Sequence, residues 1–219
     1  MSASTSKSRT RFIALDPQSR ARWLDPAERE FCVHGFENAS MNRILADASE
    51  SKGRTYHYFA DKGELFRATL ERRLEPITDF HAIPDEARGW GAGEFWARLG
   101  SVCDRLTRVL QDDMQLASLM RTLHEERAAQ AACADLLDAL RKGIGSLLTA
   151  GQAVGAVRGD LPLALLSAIT LDLVVAVDRW FALNAATLSA DEEADLSRRA
   201  FTLLMAPLLP PHSLKGSLP

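Results

Sequence analysis

The sequence predicts an all-α protein, in which an N-terminal three-helix domain with a helix-turn-helix precedes a larger helical domain. No segment shows the alternation of apolar and polar residues that is typical of a strand. Apolar residues instead recur three and four positions apart, most clearly at Phe95, Leu99, Val102, Leu106 and Val109, and at Cys133, Leu136, Leu137, Leu140, Ile144 and Leu147. Glycine, proline and capping residues divide residues 93–209 into about five helices.

The charge of the chain is unevenly distributed. Its formal net charge of −3 argues against a wholly basic protein that coats nucleic acid. Residues 1–75 carry 13 Lys and Arg against 11 Asp and Glu, whereas residues 76–219 carry 13 against 18. The three cysteines are odd in number and lack close spacing, which indicates a reducing compartment and argues against a disulfide framework or a zinc site.

The N-terminal stretch is not expected to act as an export signal. The first residues are polar and lack the apolar stretch of a signal peptide, so we expect residues 1–18 to be a disordered arm of a cytoplasmic protein. Residues 210–219 are expected to form a flexible tail. The most membrane-like segment, 161–183, contains Asp172, Asp178 and Arg179, and we interpret it as a buried helix that does not span a membrane.

Capping residues predict two short helices and then a longer one after residue 40. Ser40 is a natural N-cap for the first short helix, whose apolar stripe consists of Met41, Ile44, Leu45 and Ala48. Ser51 caps a second short helix that ends near Phe59, and Asp61 with Glu64 forms a capping box for the third. Two short helices joined by a tight turn indicate a helix-turn-helix.

The second short helix has two chemically different faces. At 100° per residue, the side expected to face inward holds Thr55, Tyr56 and Phe59, and the outward side holds Gly53, Arg54, His57 and Tyr58. Arg54 suits a guanine edge or a phosphate, Tyr58 suits a phosphate, and Gly53 allows close approach of the backbone. Lys62 adds a cation at the first turn of the next helix. The outward side therefore suits DNA.

Residues 30–66, EFCVHGFENASMNRILADASESKGRTYHYFADKGELF, resemble the DNA-binding domain of the TetR family of bacterial transcriptional regulators. The motifs that carry the resemblance are Gly35-Phe36, Ser40, Ser51 to Gly53, Tyr56 with Phe59, and Lys62 with Leu65 and Phe66. The resemblance implies a homodimer that binds a palindromic DNA operator, with a small-molecule effector bound among the C-terminal helices. It implies DNA contacts at Ser40, Asn42, Lys52, Gly53, Arg54, His57, Tyr58 and Lys62.

Three residues depart from the family pattern. Ser49 and Glu50 stand in the turn where the family usually has glycine and a buried aliphatic residue, so we expect the left-handed turn geometry and the apolar plug to be missing. Glu50 then faces solvent or pairs with Arg54, four residues later. Pro26 is expected at the first position of a helix that begins late, or at a kink.

We expect a DNA-binding domain over 19–66 and an effector-binding and dimerisation domain over 67–209. The helix that begins at Lys62 would link them. The candidate lining of a pocket for a small, largely apolar effector is Trp90, Trp96, Cys103, Met114, Met120, His124, Trp180 and Phe181, although core packing is the commoner role of any single one. The helix from Pro162 to about Leu183 is apolar nearly all round, so with the last helix it is the expected dimer interface, at Leu166, Ile169, Leu173, Val177, Phe201, Leu204 and Met205.

Catalysis is not expected, and neither is a metal or another cofactor. The sequence has no nucleophile with a neighbouring base, no phosphate-binding loop and no histidine pair at metal-ligand spacing. The favoured function is a ligand-responsive repressor. Two alternatives stay open: an interaction protein or DNA organiser without effector control, which the Ser49-Glu50 turn favours, and an enzyme on a helical scaffold.

Overall fold

The computed structural model describes residues 7–75, 83–184 and 187–211. Within them the chain is helical and contains no strand, which confirms the predicted all-α class. The helices are α1 (Lys7–Ile13), α2 (Pro17–His34), α3 (Met41–Ala48), α4 (Lys52–Tyr58), α5 (Lys62–Leu74), α6 (Ile83–Glu86), α7 (Ala92–Asp112), α8 (Met114–Glu125), α9 (Arg127–Ala132), α10 (Ala134–Ala153), α11 (Leu163–Asn184) and α12 (Ala190–Met205). Short 3-10 turns follow α6 and α12.

The chain divides into two compact units. The first comprises Met1–Glu75 and Met114–Leu136, and the second comprises Pro76–Asp113 and Leu137–Pro219. These units do not coincide with the domains expected over 19–66 and 67–209, because α8 and α9 pack with the N-terminal helices. The buried stripe of α8, formed by Leu116, Leu119 and Leu123, explains this packing, since α8 lies against α2 and α5.

The N-terminal arm differs from the expectation of disorder over residues 1–18. Residues 7–13 form α1, and its Phe12 is only 4% exposed. The ring of Phe12 lies 4.6 Å from that of Phe59 and 6.4 Å from that of Trp23, measured between centroids. Aromatic burial therefore orders a segment whose polar composition suggested a free arm. The expected tail at 210–219 lies almost wholly outside the described residues.

Helix α2 begins well before Pro26, so the expected late start is wrong. Asp16 is the N-cap, accepting a hydrogen bond from the Ser19 nitrogen at 2.9 Å, and Pro17 occupies the first turn, where no amide donor is needed. Pro26 is buried inside the helix.

The aromatic core of the first unit joins α2 to α5. Phe66 lies 5.0 Å from Phe31 and 5.3 Å from Phe36, between ring centroids. Phe66 and Leu70 of α5 are thus buried in the same unit as the N-terminal helices.

A buried carboxylate also joins α2 to α5. Glu28 accepts hydrogen bonds from Arg72 at 2.7 Å and from Arg73 Nε at 2.8 Å. Burial alone would raise the pKa of Glu28, but the hydrogen bonds and charges of the two arginines outweigh it and lower the pKa below its ordinary value. The ion pair thus stabilises the α2–α5 packing while Glu28 is ionised.

The second unit has its own core, built from α7, α10, α11 and α12. Its buried members include Phe95, Leu99, Ile144, Leu148 and Leu166. Packing is closest at Gly151, where an added Cβ would lie 2.9 Å from the Phe95 ring and 2.5 Å from Val157. Ser189 and Glu192 form a capping box at the start of α12. None of the described helices combines the length and the apolar character needed to cross a bilayer.

Candidate nucleic-acid interface

The first helix of the predicted pair, α3, has a fixed start. The Ser40 side chain accepts a hydrogen bond from the Arg43 nitrogen, which confirms it as the N-cap. Glu30 of α2 accepts from the Ser40 nitrogen at 2.7 Å and from Arg43 Nε at 2.9 Å. The Arg43 hydrogen bond is the main reason why the pKa of Glu30 lies below its ordinary value. Asn42 of α3 is exposed beside this cap.

The turn between α3 and α4 retains the left-handed conformation. Ser49 has φ 53° and ψ 38°, and it is the one non-glycine residue with positive φ in the described part of the chain. The expectation that a serine loses this geometry is wrong, because two backbone bonds still close the helix end: Ser49 nitrogen to Ala46 oxygen and Glu50 nitrogen to Leu45 oxygen, both 3.1 Å.

Glu50 replaces the missing apolar plug by pairing with a cation. Its side chain is 7% exposed, and Oε1 lies 3.4 Å from Arg54 Nη1. The Arg54 guanidinium also lies 5.5 Å from the ring centre of Trp23. Of the two possibilities for Glu50, the pair with Arg54 is therefore the one observed. Part of Arg54 is engaged within the fold, although 54% of its side chain is exposed.

The faces of α4 are rotated relative to the prediction. Thr55 and Phe59 are buried as expected, but Tyr56 is 51% exposed and Tyr58 is partly buried. The ring of Tyr58 lies 5.1 Å from Trp23 and 6.4 Å from Phe12. The assignment of Tyr56 inward and Tyr58 outward is thus wrong, because α1 covers the side of α4 that carries Tyr58. The exposed side of the helix is formed by Lys52, Gly53, Arg54, Tyr56 and His57.

Lys62 has partners inside the protein. Its Nζ donates to the carbonyl oxygens of Glu37 at 3.0 Å and Ala39 at 3.1 Å, and it lies 4.8 Å from the ring centre of Phe36. An ammonium group has three donors, so Lys62 stabilises the α2–α3 loop with two of them. Asp61 caps α5 as predicted, and the Glu64 side chain accepts a hydrogen bond from the Ala60 nitrogen.

A residue that the sequence did not indicate completes the loop before α3. Glu126, between α8 and α9, accepts hydrogen bonds from the nitrogens of Phe36 at 3.1 Å and Glu37 at 2.6 Å. Gly35 has φ +70°, and an added Cβ there would lie 2.2 Å from Glu126 Oε1. No local pattern could identify a partner 90 residues away.

The expected effector-pocket residues divide between the two units. Trp90, Trp96, Cys103, Trp180 and Phe181 lie in the second unit, whereas Met114, Met120 and His124 lie on α8 in the first. Met114, the first residue of α8, is 83% exposed. Trp96 is anchored, since its Nε1 donates to the Ala156 oxygen at 3.2 Å. Burial raises the pKa of the Cys103 thiol to about 11, in keeping with a packing role.

Among the expected dimer residues, Leu166 is 1% exposed within the core of its own unit, so it cannot contact a second chain. Phe201 packs partly on the same core, with a ring atom 3.3 Å from a Cβ built on Gly100. The other members of the set, all partly exposed, are Ile169, Leu173, Val177, Leu204 and Met205. Large apolar side chains exposed nearby are Leu165, Trp180, Leu183 and Leu203.

The residues of the first unit thus assemble a helix-turn-helix whose second helix exposes cations and hydrogen-bond donors. These features are typical of helical proteins that bind DNA. The sequence profile of bacterial regulatory proteins of the TetR family matches residues 24–69. The N-terminal domain is therefore similar to the DNA-binding domain of that family.

A curated relative is similar over part of the chain. The HTH-type transcriptional repressor SCO4008 of Streptomyces coelicolor is 38% identical over 79 residues, which is 35% of this chain and 41% of that protein. The chain therefore matches about two fifths of the relative's length. This relative is a transcriptional repressor by name, and the matched profile describes bacterial regulatory proteins.

Solved structures extend the likeness to the whole fold. FadR from Bacillus subtilis, in complex with stearoyl-CoA, has a TM-score of 0.66 and 15% identity over 85% of this chain and 98% of its own. SmeT, the repressor of the Stenotrophomonas maltophilia multidrug efflux pump SmeDEF, has a TM-score of 0.66 and 20% identity over 90% of this chain and 92% of its own. The helices after α5 therefore also follow the fold of such regulators.

Proposed function

We propose that this protein is a sequence-specific transcriptional regulator of the cytoplasm, acting as a homodimeric repressor that a small apolar effector releases from a palindromic operator. The observation that carries the proposal is the exposed side of α4, which combines Lys52, Arg54, Tyr56 and His57 next to Gly53. In a major groove about 12 Å wide, a helix with this side inward presents donors to base edges and phosphates.

In this proposal the residues have separate roles. Arg54 and His57 read base edges, because guanidinium and imidazole groups suit acceptors in the major groove. Tyr56 takes the phosphate role first expected of Tyr58, because its ring is the exposed one. Ser40, Asn42 and Lys52 bind the DNA backbone near the start of α3 and α4, and Lys62 contributes mainly by fixing the loop before α3.

A second copy of the chain would cover the apolar surface of α11 and α12. Within the described helix α11 only Leu166 and Thr170 are buried, although the helix is rich in Leu, Val and Ile. Leu165, Trp180 and Leu183 are each more than a third exposed. Exposed apolar side chains grouped in this way are typical of a protein–protein interface, and two linked subunits would match the symmetry of a palindromic site.

The effector is proposed to bind in the second unit, near Trp90, Trp96 and Cys103 on the apolar core. Support comes from the apolar character of that core and from the shared fold of FadR, solved with stearoyl-CoA, and of a repressor of a multidrug efflux pump. A ligand found by thermal shift should change the fluorescence of these tryptophans and alter operator affinity. Reciprocity requires DNA to change ligand affinity by the same factor.

Footprinting of the parent protein on its own upstream DNA tests the proposal. A discrete protected site with two half-sites about 34–36 Å apart, or a multiple of this, is the expected result. Uniform protection would favour the DNA organiser, and absence of any DNA binding would favour an interaction protein or an enzyme.

A further inference from the structure

We propose that α1 is a second DNA-contacting element, in which Lys7 and Arg11 bind backbone phosphates beside the groove that α4 occupies. The inference rests on the proposed function, because it requires DNA docked on α4. It concerns residues outside the helix-turn-helix and outside the family match at residues 24–69.

Helix α1 is fixed to the recognition helix by buried aromatic contacts. Phe12 is 4% exposed and packs against Phe59, at the end of α4, and against Tyr58 within it. The ring centroids are 4.6 Å and 6.4 Å apart, respectively. Because this contact holds the two helices together, DNA that meets α4 also meets whatever α1 exposes beside it.

A second contact fixes α1 on another side. Arg9 forms salt bridges with Glu71 of α5 and with Asp135 at the start of α10, and its side chain is 25% exposed. Arg67 of α5 pairs with the same Asp135. Arg9 therefore forms ion pairs within the protein. Together, Phe12 and Arg9 hold α1 in one orientation.

The remaining cations of α1 face solvent. Lys7 and Arg11 are four residues apart, so they lie on the same side of the helix, and both are exposed. Helix α1 contains no acidic residue, and in the part of the chain that the structure describes neither cation has a carboxylate partner. A helix side with two unpaired cations suits an anion.

Arg11 lies next to the exposed side of α4, which is the side proposed to read DNA. Its Nη1 lies 3.5 Å from Nδ1 of His57, which belongs to the exposed side of α4. A guanidinium only donates hydrogen bonds, so Nδ1 of His57 acts as the acceptor for Arg11. The other ring nitrogen, Nε2, stays available to bind DNA. An α-helix with side chains is about 10–12 Å across and fills the groove, so an element alongside it meets the phosphates that border the groove.

A salt titration of binding separates a phosphate contact from a structural role. The parent, Arg11→Gln, Lys7→Gln with Arg11→Gln, and Arg11→Lys would be measured on the footprinted operator and on shuffled DNA of equal length. Arg141→Gln, on α10 in the second unit, is the matched control for loss of one exposed arginine. Thermal unfolding of every variant verifies that it folds.

We expect the slope of log affinity against log salt to fall by about 0.9 for each lost phosphate contact, hence by about twice that in the double variant. Operator and shuffled DNA should weaken alike, because phosphates carry no sequence information, and Arg11→Lys should retain the parent slope. An unchanged slope in a folded double variant would overturn the inference. So would a change in sequence preference alone, which would mean that Arg11 only orients His57.

The same titration distinguishes this inference from the proposed function. A parent that binds an operator with a slope unaffected by the α1 substitutions overturns the role of α1 alone. A parent that binds no DNA overturns both.

Discussion

The carboxylate of Glu126 accepts a hydrogen bond from the backbone nitrogen of Phe36 at 3.1 Å. This bond, with its neighbour to Glu37, connects the α8–α9 junction to the loop that leads into α3. Lys62 binds the carbonyls of the same loop. The start of the helix-turn-helix is therefore positioned from both sides by residues outside it.

Substitution of Glu126 by Ala should loosen that loop. Two backbone donors would lose a charged acceptor, so we expect a loss of about 1–2 kcal/mol in the free energy of unfolding and weaker operator binding. Denaturant unfolding and operator titration measure the two effects. Glu125→Ala, one position earlier and exposed, is the control. Equal stability of the two variants would show that the Glu126 bonds do not stabilise the fold.

Ser49→Gly should stabilise the protein. A left-handed residue with a Cβ costs roughly 1–2 kcal/mol, and the greater freedom of glycine in the unfolded chain offsets part of the gain. We therefore expect a net increase of about 0.5–1 kcal/mol in the free energy of unfolding. Ser49→Ala removes the hydroxyl but keeps the strain, so it should not gain stability. A Gly variant less stable than the parent would contradict this interpretation of the turn.

Arg54→Ala should reduce both stability and operator affinity, because it leaves the carboxylate of Glu50 unpaired at a side chain that is 7% exposed. Addition of Glu50→Leu removes that charge and supplies the missing apolar plug. The double variant should then regain thermal stability but not operator affinity. If it regains both, Arg54 affects DNA binding only through the fold.

The two thiols with raised pKa values should resist alkylation in the folded protein. Burial raises the pKa of Cys103 to about 11 and that of Cys133 to about 12. At pH 8 about one Cys103 in 10³ is then a thiolate, the reactive form, and this fraction grows as pH rises toward 11. In a Cys32→Ser variant, Cys103 and Cys133 are the only thiols, so the rate of alkylation reports on these two. The denatured chain is the control. Equal labelling rates in the two states would contradict the burial.

Local signals in the sequence predicted much of the site. Ser40 and Ser51 were identified as caps, and Ile44 and Leu45 as a buried stripe, because these features depend on residues within one turn of each other. The exchange of Tyr56 and Tyr58 could not be predicted in this way. It depends on α1, and the one signal for α1 was Phe12 in a basic, polar segment.

Longer-range contacts lay outside what periodicity can indicate. Glu126 and Asp135 belong to the first unit through packing of α8 and α9 with α2 and α5, and nothing in their local sequence specifies a partner. Amphipathic spacing can indicate a helix such as α8, but it does not indicate which core that helix joins. For the same reason, the sequence could not show that the expected pocket residues Met114, Met120 and His124 belong to a different unit from Trp90, Trp96 and Trp180.

The central claim is that the exposed side of α4 reads DNA, and the ratio of operator affinity to shuffled-DNA affinity at one salt concentration tests it most directly. The parent should show a ratio of about 10³ or more. His57→Ala should lower it by about 1–3 kcal/mol, or roughly 5- to 150-fold, without changing thermal stability, because His57 is exposed. Lys142→Ala, exposed on α10, should leave the ratio unchanged. A folded His57→Ala variant with the parent's ratio would contradict the claim.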